Sequence, residues 1–208
     1  NGAPITDAGL ASLSGLRALE ELNLTGTQVS DAGLTHLRSL TRLKRFSFNG
    51  TTVTLPGVVR LFVQDQGRTL VDALGAMGLV RFDDQGDVVA INVAATSFGD
   101  EEIRYLEPLP KLRELHLAAT GVTDAGMVHV SKLSQLQELY LAKCAVTDTG
   151  LSHIAGLSRL QAINIYGTQI TSLGLEYLMG LKDLRLLMIT DLKLKAAVVD
   201  KLKAKLPR

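Results

Sequence analysis

Two hydrophobic patterns alternate along the chain. In Leu22-Asn23-Leu24 and Leu139-Tyr140-Leu141, apolar and polar residues alternate, which predicts a short strand with one face turned inward. In Leu34, Leu37, Leu40 and in Leu151, Ile154, Leu157, apolar residues recur at every third position, which sets one apolar stripe on a helix. The strand-type halves start at Leu19, Leu43, Val88, Leu112, Leu136, Leu160 and Leu184. The spacing is 24 residues throughout, except for 45 between Leu43 and Val88, so 21 residues are inserted there. Residues 1–18 read as the tail of a further unit, because ITDAGL at 5–10 matches VSDAGL at 29–34.

Three copies show the unit in full: LEELNLTGTQVSDAGLTHLRSLTR from Leu19, LRELHLAATGVTDAGMVHVSKLSQ from Leu112 and LQELYLAKCAVTDTGLSHIAGLSR from Leu136. Ser30, Thr123, Thr147 and Thr171 stand where a helix N-cap belongs. Asp31, Asp124 and Asp148 follow three of them, at the positive end of the helix dipole. Gly33, Gly126, Gly150 and Gly174 fall in the first helical turn, where glycine costs up to about 1 kcal/mol relative to alanine. Close approach between neighbouring units is the compensation this predicts.

The shared pattern L-x-x-L-x-L-x-x-T/C resembles the leucine-rich repeat, whose period is about 20–29 residues. The T-D-x-G-L element resembles the cysteine-containing sub-type of F-box-associated and bacterial repeat proteins. One strand-plus-helix unit cannot bury its apolar face alone, whereas stacked units can. The resemblance therefore implies an α/β fold: a right-handed leucine-rich-repeat solenoid, or horseshoe, with parallel strands on the concave side and helices on the convex side. It also implies a protein–protein interaction scaffold. The column after the strand departs from the family's Asn/Cys, being Thr27, Thr51, Thr96, Thr120 and Thr168 with one Cys144. No F-box or other effector segment accompanies the repeats.

The insertion breaks the register over 53–89. Val58, Leu61 and Phe62 continue one convex helix, and Leu70, Leu74 and Met77 form a second apolar stripe ended by Gly78. A turn near Gln85-Gly86 then predicts a hairpin leading into the next strand. The organisation expected is a short leading array over 1–67, a helix-hairpin insertion or internal cap over 68–89, and a main array over 90–208. Two sub-arrays and one continuous array with a looped-out insert both fit this pattern. The last helix keeps Val198, Val199, Leu202 and Leu206 but turns lysine-rich, as a polar terminal cap requires. The N-terminal end shows no such cap, and an uncapped end invites self-association between chains.

Composition narrows the function classes. The chain is 46% hydrophobic and only 4% aromatic, so its core is aliphatic. A net charge of +1 supplies no global field toward nucleic acid or a membrane, and neither is an expected partner. No apolar stretch approaches the roughly 18 residues of a membrane span. The single cysteine excludes an internal disulfide and favours a reducing compartment such as the cytoplasm. The sequence starts inside a repeat, so a targeting segment could lie outside it, and the compartment stays open.

Chemistry-bearing residues yield no catalytic or metal constellation, and no cofactor is expected. Cys144 sits in the ladder column and reads as a buried structural residue. His36, His129 and His153 share one helical position with Tyr105 and Tyr177, and adjacent helices about 8–10 Å apart keep such imidazoles from sharing one ion. Asp83-Asp84-Gln85-Gly86-Asp87 lacks the alternating ligands of an EF-hand and reads as a solvated turn.

The outward strand positions carry the most information, because side chains alternate along a strand. They place His116, Tyr140, Tyr166, Glu114, Glu138, Asn164, Lys143, Arg45 and Asn49 on a candidate partner-binding face, with the two tyrosines as anchors. The expected function is a non-enzymatic scaffold binding a protein partner of unspecified identity on this face. The alternative is a purely structural spacer region of a larger protein.

Overall fold

Within each unit, consecutive coils are joined by parallel pairing of short strands, most of them three residues long, in which one inward side chain stands between two outward ones. A computed structural model describes residues 5–67, 69–192 and 194–205. The chain divides into two compact units, Asn1–Val80 and Arg81–Arg208.

In the first unit, α1 (Asp7–Leu10) precedes β1 (Glu21–Asn23), and a 3₁₀ turn at Gly33–Leu37 precedes β2 (Arg45–Ser47). The two strands pair in parallel, Leu22 opposite Phe46 and Asn23 opposite Ser47. Helix α2 (Leu55–Val59) carries Pro56 in its first turn, where no N–H is missed, and Thr54 caps it by accepting from the Gly57 N–H at 3.1 Å. It runs into a π-helical turn, Arg60–Asp65. Helix α3 (Leu70–Ala76) starts with a Thr69/Asp72 capping box. Its Ala73 and Ala76 join Leu10, Leu24, Leu37, Phe46 and Phe62 in one core, with the Phe46 and Phe62 rings 6.2 Å apart.

The second unit is built on a six-stranded sheet in the order β3 (Val80–Phe82), β4 (Val88–Asn92), β5 (Glu114–His116), β6 (Glu138–Tyr140), β7 (Ala162–Asn164) and β8 (Leu186–Met188). Strands β4 to β8 are parallel and in register at intervals of one repeat, so Ile91, Leu115, Leu139, Ile163 and Leu187 align in a row. The first four of these are fully buried. The five-residue turn between β3 and β4 is too short for a parallel crossover, so this pair is a hairpin. Helices α4 (Asp100–Ile103), α5 (Asp124–Val130) and α6 (Asp148–His153) and a 3₁₀ segment, Gly174–Gly180, pack side by side along the other wall. The final helix, α7 (Ala196–Lys205), covers the last coil with Leu202 buried; Leu206, counted above in its stripe, lies outside the described residues. Several segments with a helical apolar stripe are 3₁₀ rather than α, because a short coil leaves room for only one or two turns.

Side chains stitch each coil to the next. The Asp100 carboxylate accepts the Thr123 backbone N–H at 2.8 Å and its hydroxyl at 2.6 Å. Asp124 does the same for Thr147, and Asp148 for Thr171. In the first unit Asp7 holds Ser30 and Asp31 holds Thr54. The aspartate after each cap thus serves the following coil's cap as well as its own helix dipole. The ladder stops within the first unit at Thr54, which Leu55 follows, and begins in the second after Gly99, which has no hydroxyl to offer. A second column lies after the strands. The hydroxyls of Thr27, Thr51, Thr96, Thr120 and Thr168 each donate to the carbonyl three residues back, at 2.6–2.7 Å.

Candidate functional site

The register that buries the leucines sets the intervening side chains in rows on the sheet's outer face. In the second unit Asn92, His116, Tyr140, Asn164 and Met188 form the central row. Ala90, Glu114, Glu138, Ala162 and Leu186 form the row beside it. Of the sequence-predicted face residues, the structure brings His116, Tyr140, Asn164, Glu114 and Glu138 together on β5 to β7, and puts Lys143 and Tyr166 on the turns that follow β6 and β7. Arg45 and Asn49 belong to the first unit, where Arg45 pairs with Glu21 at 3.1 Å and both are exposed.

The centre of the face is a stacked aromatic pair. The His116 and Tyr140 rings lie 4.2 Å apart and within 9° of parallel. The Tyr140 hydroxyl donates to Glu138 Oε2 at 2.7 Å. That bond, then burial, then the charges of Glu138 and Glu114, push the Tyr140 phenol up to about 12. Glu114 and Glu138 stand directly opposite one another on adjacent strands, an arrangement that repels unless compensated. Arg81 on β3 supplies compensation through an ion pair with Glu114.

A second cluster sits at the turns after the strands. Lys143 adopts a left-handed conformation with φ of 60°, and its Nζ lies 5.9 Å from the centre of the Tyr166 ring. The Asp191 carboxylate favours the neutral Tyr166 phenol and raises its pKa. Asn164 Oδ1 accepts the Tyr166 backbone N–H at 2.9 Å, fixing the turn. Arg81 and Asp191 were invisible to sequence reasoning as members of this face. Arg81 lies in the inserted hairpin, outside the repeat register, and Asp191 falls where the last coil loses its motif. The equal spacing of the coils was the signal for the stacked pair, since residues one repeat apart become neighbours across the sheet.

Other candidates resolve structurally. Cys144 is buried, and its Sγ donates to the Leu117 carbonyl at 3.0 Å. His129 Nδ1 lies 2.5 Å from Glu107 Oε1, which also accepts from Lys132 Nζ at 2.7 Å. Lys132 and then His129 hold the Glu107 carboxyl below its ordinary range. Asp83 closes the hairpin turn by accepting from the Gln85 and Asp87 N–H groups, which lowers its pKa. Lys111 Nζ bridges Asp87 and Gln85 across that turn. Among the described residues no three His, Cys, Asp or Glu side chains gather as a metal site, and no helix is long and apolar enough to cross a membrane.

The family model described as Leucine Rich repeat matches residues 16–37 and 132–155. No curated protein matches the chain by sequence. Among solved structures, it is similar to an internalin, inlF, of Listeria monocytogenes, with a TM-score of 0.54 and 19% identity over 95% of this chain. The chain spans about half of that relative, 49% of its length. It is also similar to internalin C2 of the same organism, with a TM-score of 0.51 and 19% identity over 97% of this chain and 82% of the other. At this identity the likeness concerns the fold.

Proposed function

Because the chain is a leucine-rich-repeat protein, we propose that it is a non-enzymatic interaction module whose second unit binds a protein partner on the outer face of β5 to β7. The observation that carries this reading is the His116–Tyr140 stack, held from one side by the Tyr140–Glu138 hydrogen bond. Two aromatic side chains fixed before any partner arrives lose little ordering entropy on binding, and aromatic anchors dominate interface energetics. Glu114, Asn164, Lys143 and Tyr166 surround the stack with groups of both charges and a second ring, and supply specificity rather than bulk. In the first unit, Arg45 and Asn49 are the corresponding exposed positions of its own short sheet.

The test is capture by the immobilised full chain compared with a Tyr140→Ala/Tyr166→Ala variant. A partner is expected that the wild type retains and the variant loses at an unchanged melting temperature, and that binds the purified wild type directly. Equal capture by both proteins would overturn the proposal in favour of a spacer role.

A further inference from the structure

Glu114 and Glu138 stand side by side on the second unit's sheet, and the chain answers the charge of only one of them. Arg81 on β3 pairs with Glu114. It does so across β4, whose residue in that row is Ala90, so only a methyl group lies under the guanidinium's path. Glu138 has the same surroundings on its other side, because the next residue in its row, on β7, is Ala162. Nothing fills that place as Arg81 does. Among the described residues no lysine or arginine forms an ion pair with Glu138. Its Oε2 accepts the Tyr140 hydroxyl at 2.7 Å, and its Oε1 has no donor among the described residues.

The Tyr140 ring forms the wall of this slot. His116, on β5, covers the ring face on that side, with centroids 4.2 Å apart and planes within 9° of parallel. The opposite face is turned toward β7, where the neighbour in the central row is Asn164. Asn164 is too short to cover a ring, and its Oδ1 is held by the Tyr166 backbone N–H at 2.9 Å. An uncovered aromatic face, a free carboxylate oxygen and a methyl floor therefore converge between β6 and β7. A guanidinium suits all three. It is planar and stacks on a tyrosine face, and its N–H groups donate to a carboxylate in a fixed fork. An ammonium group meets the charge but has no plane to stack. Arginine is also enriched at protein interfaces, where lysine is depleted. We infer that the partner of this face inserts an arginine between β6 and β7, stacked on Tyr140, hydrogen-bonded to Glu138 Oε1 and lying over Ala162. The chain's own Arg81, reaching Glu114 past Ala90, is the internal precedent for this seat. The inference rests on the interaction face proposed above and names the chemistry its partner brings.

The experiment titrates the full chain with acetyl-Gly-Arg-Gly-amide at pH 7.5 and constant ionic strength, following the Ala162 methyl and the His116 and Tyr140 ring resonances by NMR. The same peptide with lysine or glutamine in place of arginine gives the comparison. Saturable shifts are expected with the arginine peptide, several-fold weaker binding with lysine, and none with glutamine. Glu138→Gln is expected to weaken the arginine peptide about tenfold, the scale of one charge-assisted contact. Ala162→Arg, which supplies an internal guanidinium to Glu138, is expected to abolish binding. Glu21→Gln, at an exposed carboxylate of the first unit, is the control and leaves the affinity unchanged. Arginine-peptide shifts no larger than those of the glutamine peptide, or undiminished binding by Glu138→Gln, would overturn the slot. A partner captured through Tyr140 and Tyr166 but retained in full by both Glu138→Gln and Ala162→Arg would also overturn it, while leaving the interaction face standing. Arginine-selective binding lost in both variants, with no partner captured by the wild type, would support the slot and count against the face. Circular dichroism of each variant separates loss of binding from loss of fold.

Discussion

A Cβ added at Gly150 would lie 2.3 Å from Oδ1 of Asp124, so the glycine of one coil is the space that the preceding coil's aspartate enters. The same relationship joins Gly33 to Asp7 at 2.3 Å, Gly126 to Asp100 at 2.4 Å and Gly174 to Asp148 at 2.2 Å. It explains why a residue with poor helix propensity recurs inside a helical turn. The carboxylate must come within reach of the next N-cap, and any side chain at the glycine would block it.

Gly150→Ala is therefore expected to destabilise the second unit by about 2–4 kcal/mol. The methyl group either displaces the Asp124 carboxylate from Thr147 or pushes the helices apart, and it also meets Val146 Cγ1 at 2.8 Å. Urea unfolding measures this. Gly156→Ala, at a glycine with open space around it, is expected to change stability by less than about 0.5 kcal/mol in either direction. If the clash acts through Asp124, Gly150→Ala combined with Asp124→Ala costs less than the sum of the two single changes. Additive effects would contradict the mechanism.

The period-two and period-three apolar patterns made the strands, helical segments and buried leucines of each coil legible from sequence, because each pattern is set by one strand or one turn. The aspartate's second role was not. Its acceptors point forward by 23 residues, and no local pattern distinguishes a helix-dipole partner from a link between coils. The insertion was legible as a helix and a hairpin from the stripe ending at Gly78 and the turn at Gly86. That Ala73 and Ala76 pack into the first unit's core, and that Arg81 reaches Glu114, depends on tertiary placement outside the repeat. At the candidate face, equal coil lengths alone aligned His116 with Tyr140. Their stacking depends on rotamers that the spacing does not specify.

The Tyr140 phenol supplies a titration test of the face. Its pKa is pushed from near 10 to about 12, chiefly by the hydrogen bond to Glu138. A folded-state pKa raised in this way contributes stability fully present below pH 10, which is lost as pH rises through about 12. The difference in 295 nm absorbance between wild type and Tyr140→Phe isolates this phenol from the other three tyrosines of the four in the chain. It is expected to ionise near pH 12, and Glu138→Gln is expected to bring its midpoint back toward 10. An ordinary midpoint in the wild type would show that the Tyr140–Glu138 bond does not persist in solution.

Cys144 reports on global unfolding. Its thiol is buried and bonded to the Leu117 carbonyl, which Thr120 also engages at 2.6 Å. Reaction with a disulfide reagent is expected to proceed in the native protein only at the rate of unfolding, and to accelerate across the same urea range that melts the second unit. Rapid labelling without denaturant would mean that this coil opens locally. Cys144→Thr is expected to cost less than about 1.5 kcal/mol, because threonine fills the same column elsewhere and can donate to the carbonyl three residues back.

The turn after each strand requires a left-handed residue, and the coils meet that demand unequally. Gly26, Gly50 and Gly167 occupy it, but so do Ala95, Ala119, Lys143 and Asp191, with φ between 54° and 62°. For a residue bearing Cβ this conformation costs about 1–2 kcal/mol, while glycine loses about 0.5–1 kcal/mol in backbone entropy. Gly167→Ala, whose new methyl would also press on Lys143 Cγ at 3.4 Å, is expected to destabilise by about 1–2 kcal/mol. Ala119→Gly is expected to stabilise by about 0.5 kcal/mol. Lys143→Gly relieves the same backbone strain but removes the ammonium group from beside the Tyr166 ring. It is expected to leave the urea midpoint unchanged or raised while weakening the partner captured through Tyr140 and Tyr166. A lowered midpoint with undiminished partner binding would assign Lys143 to folding rather than to recognition.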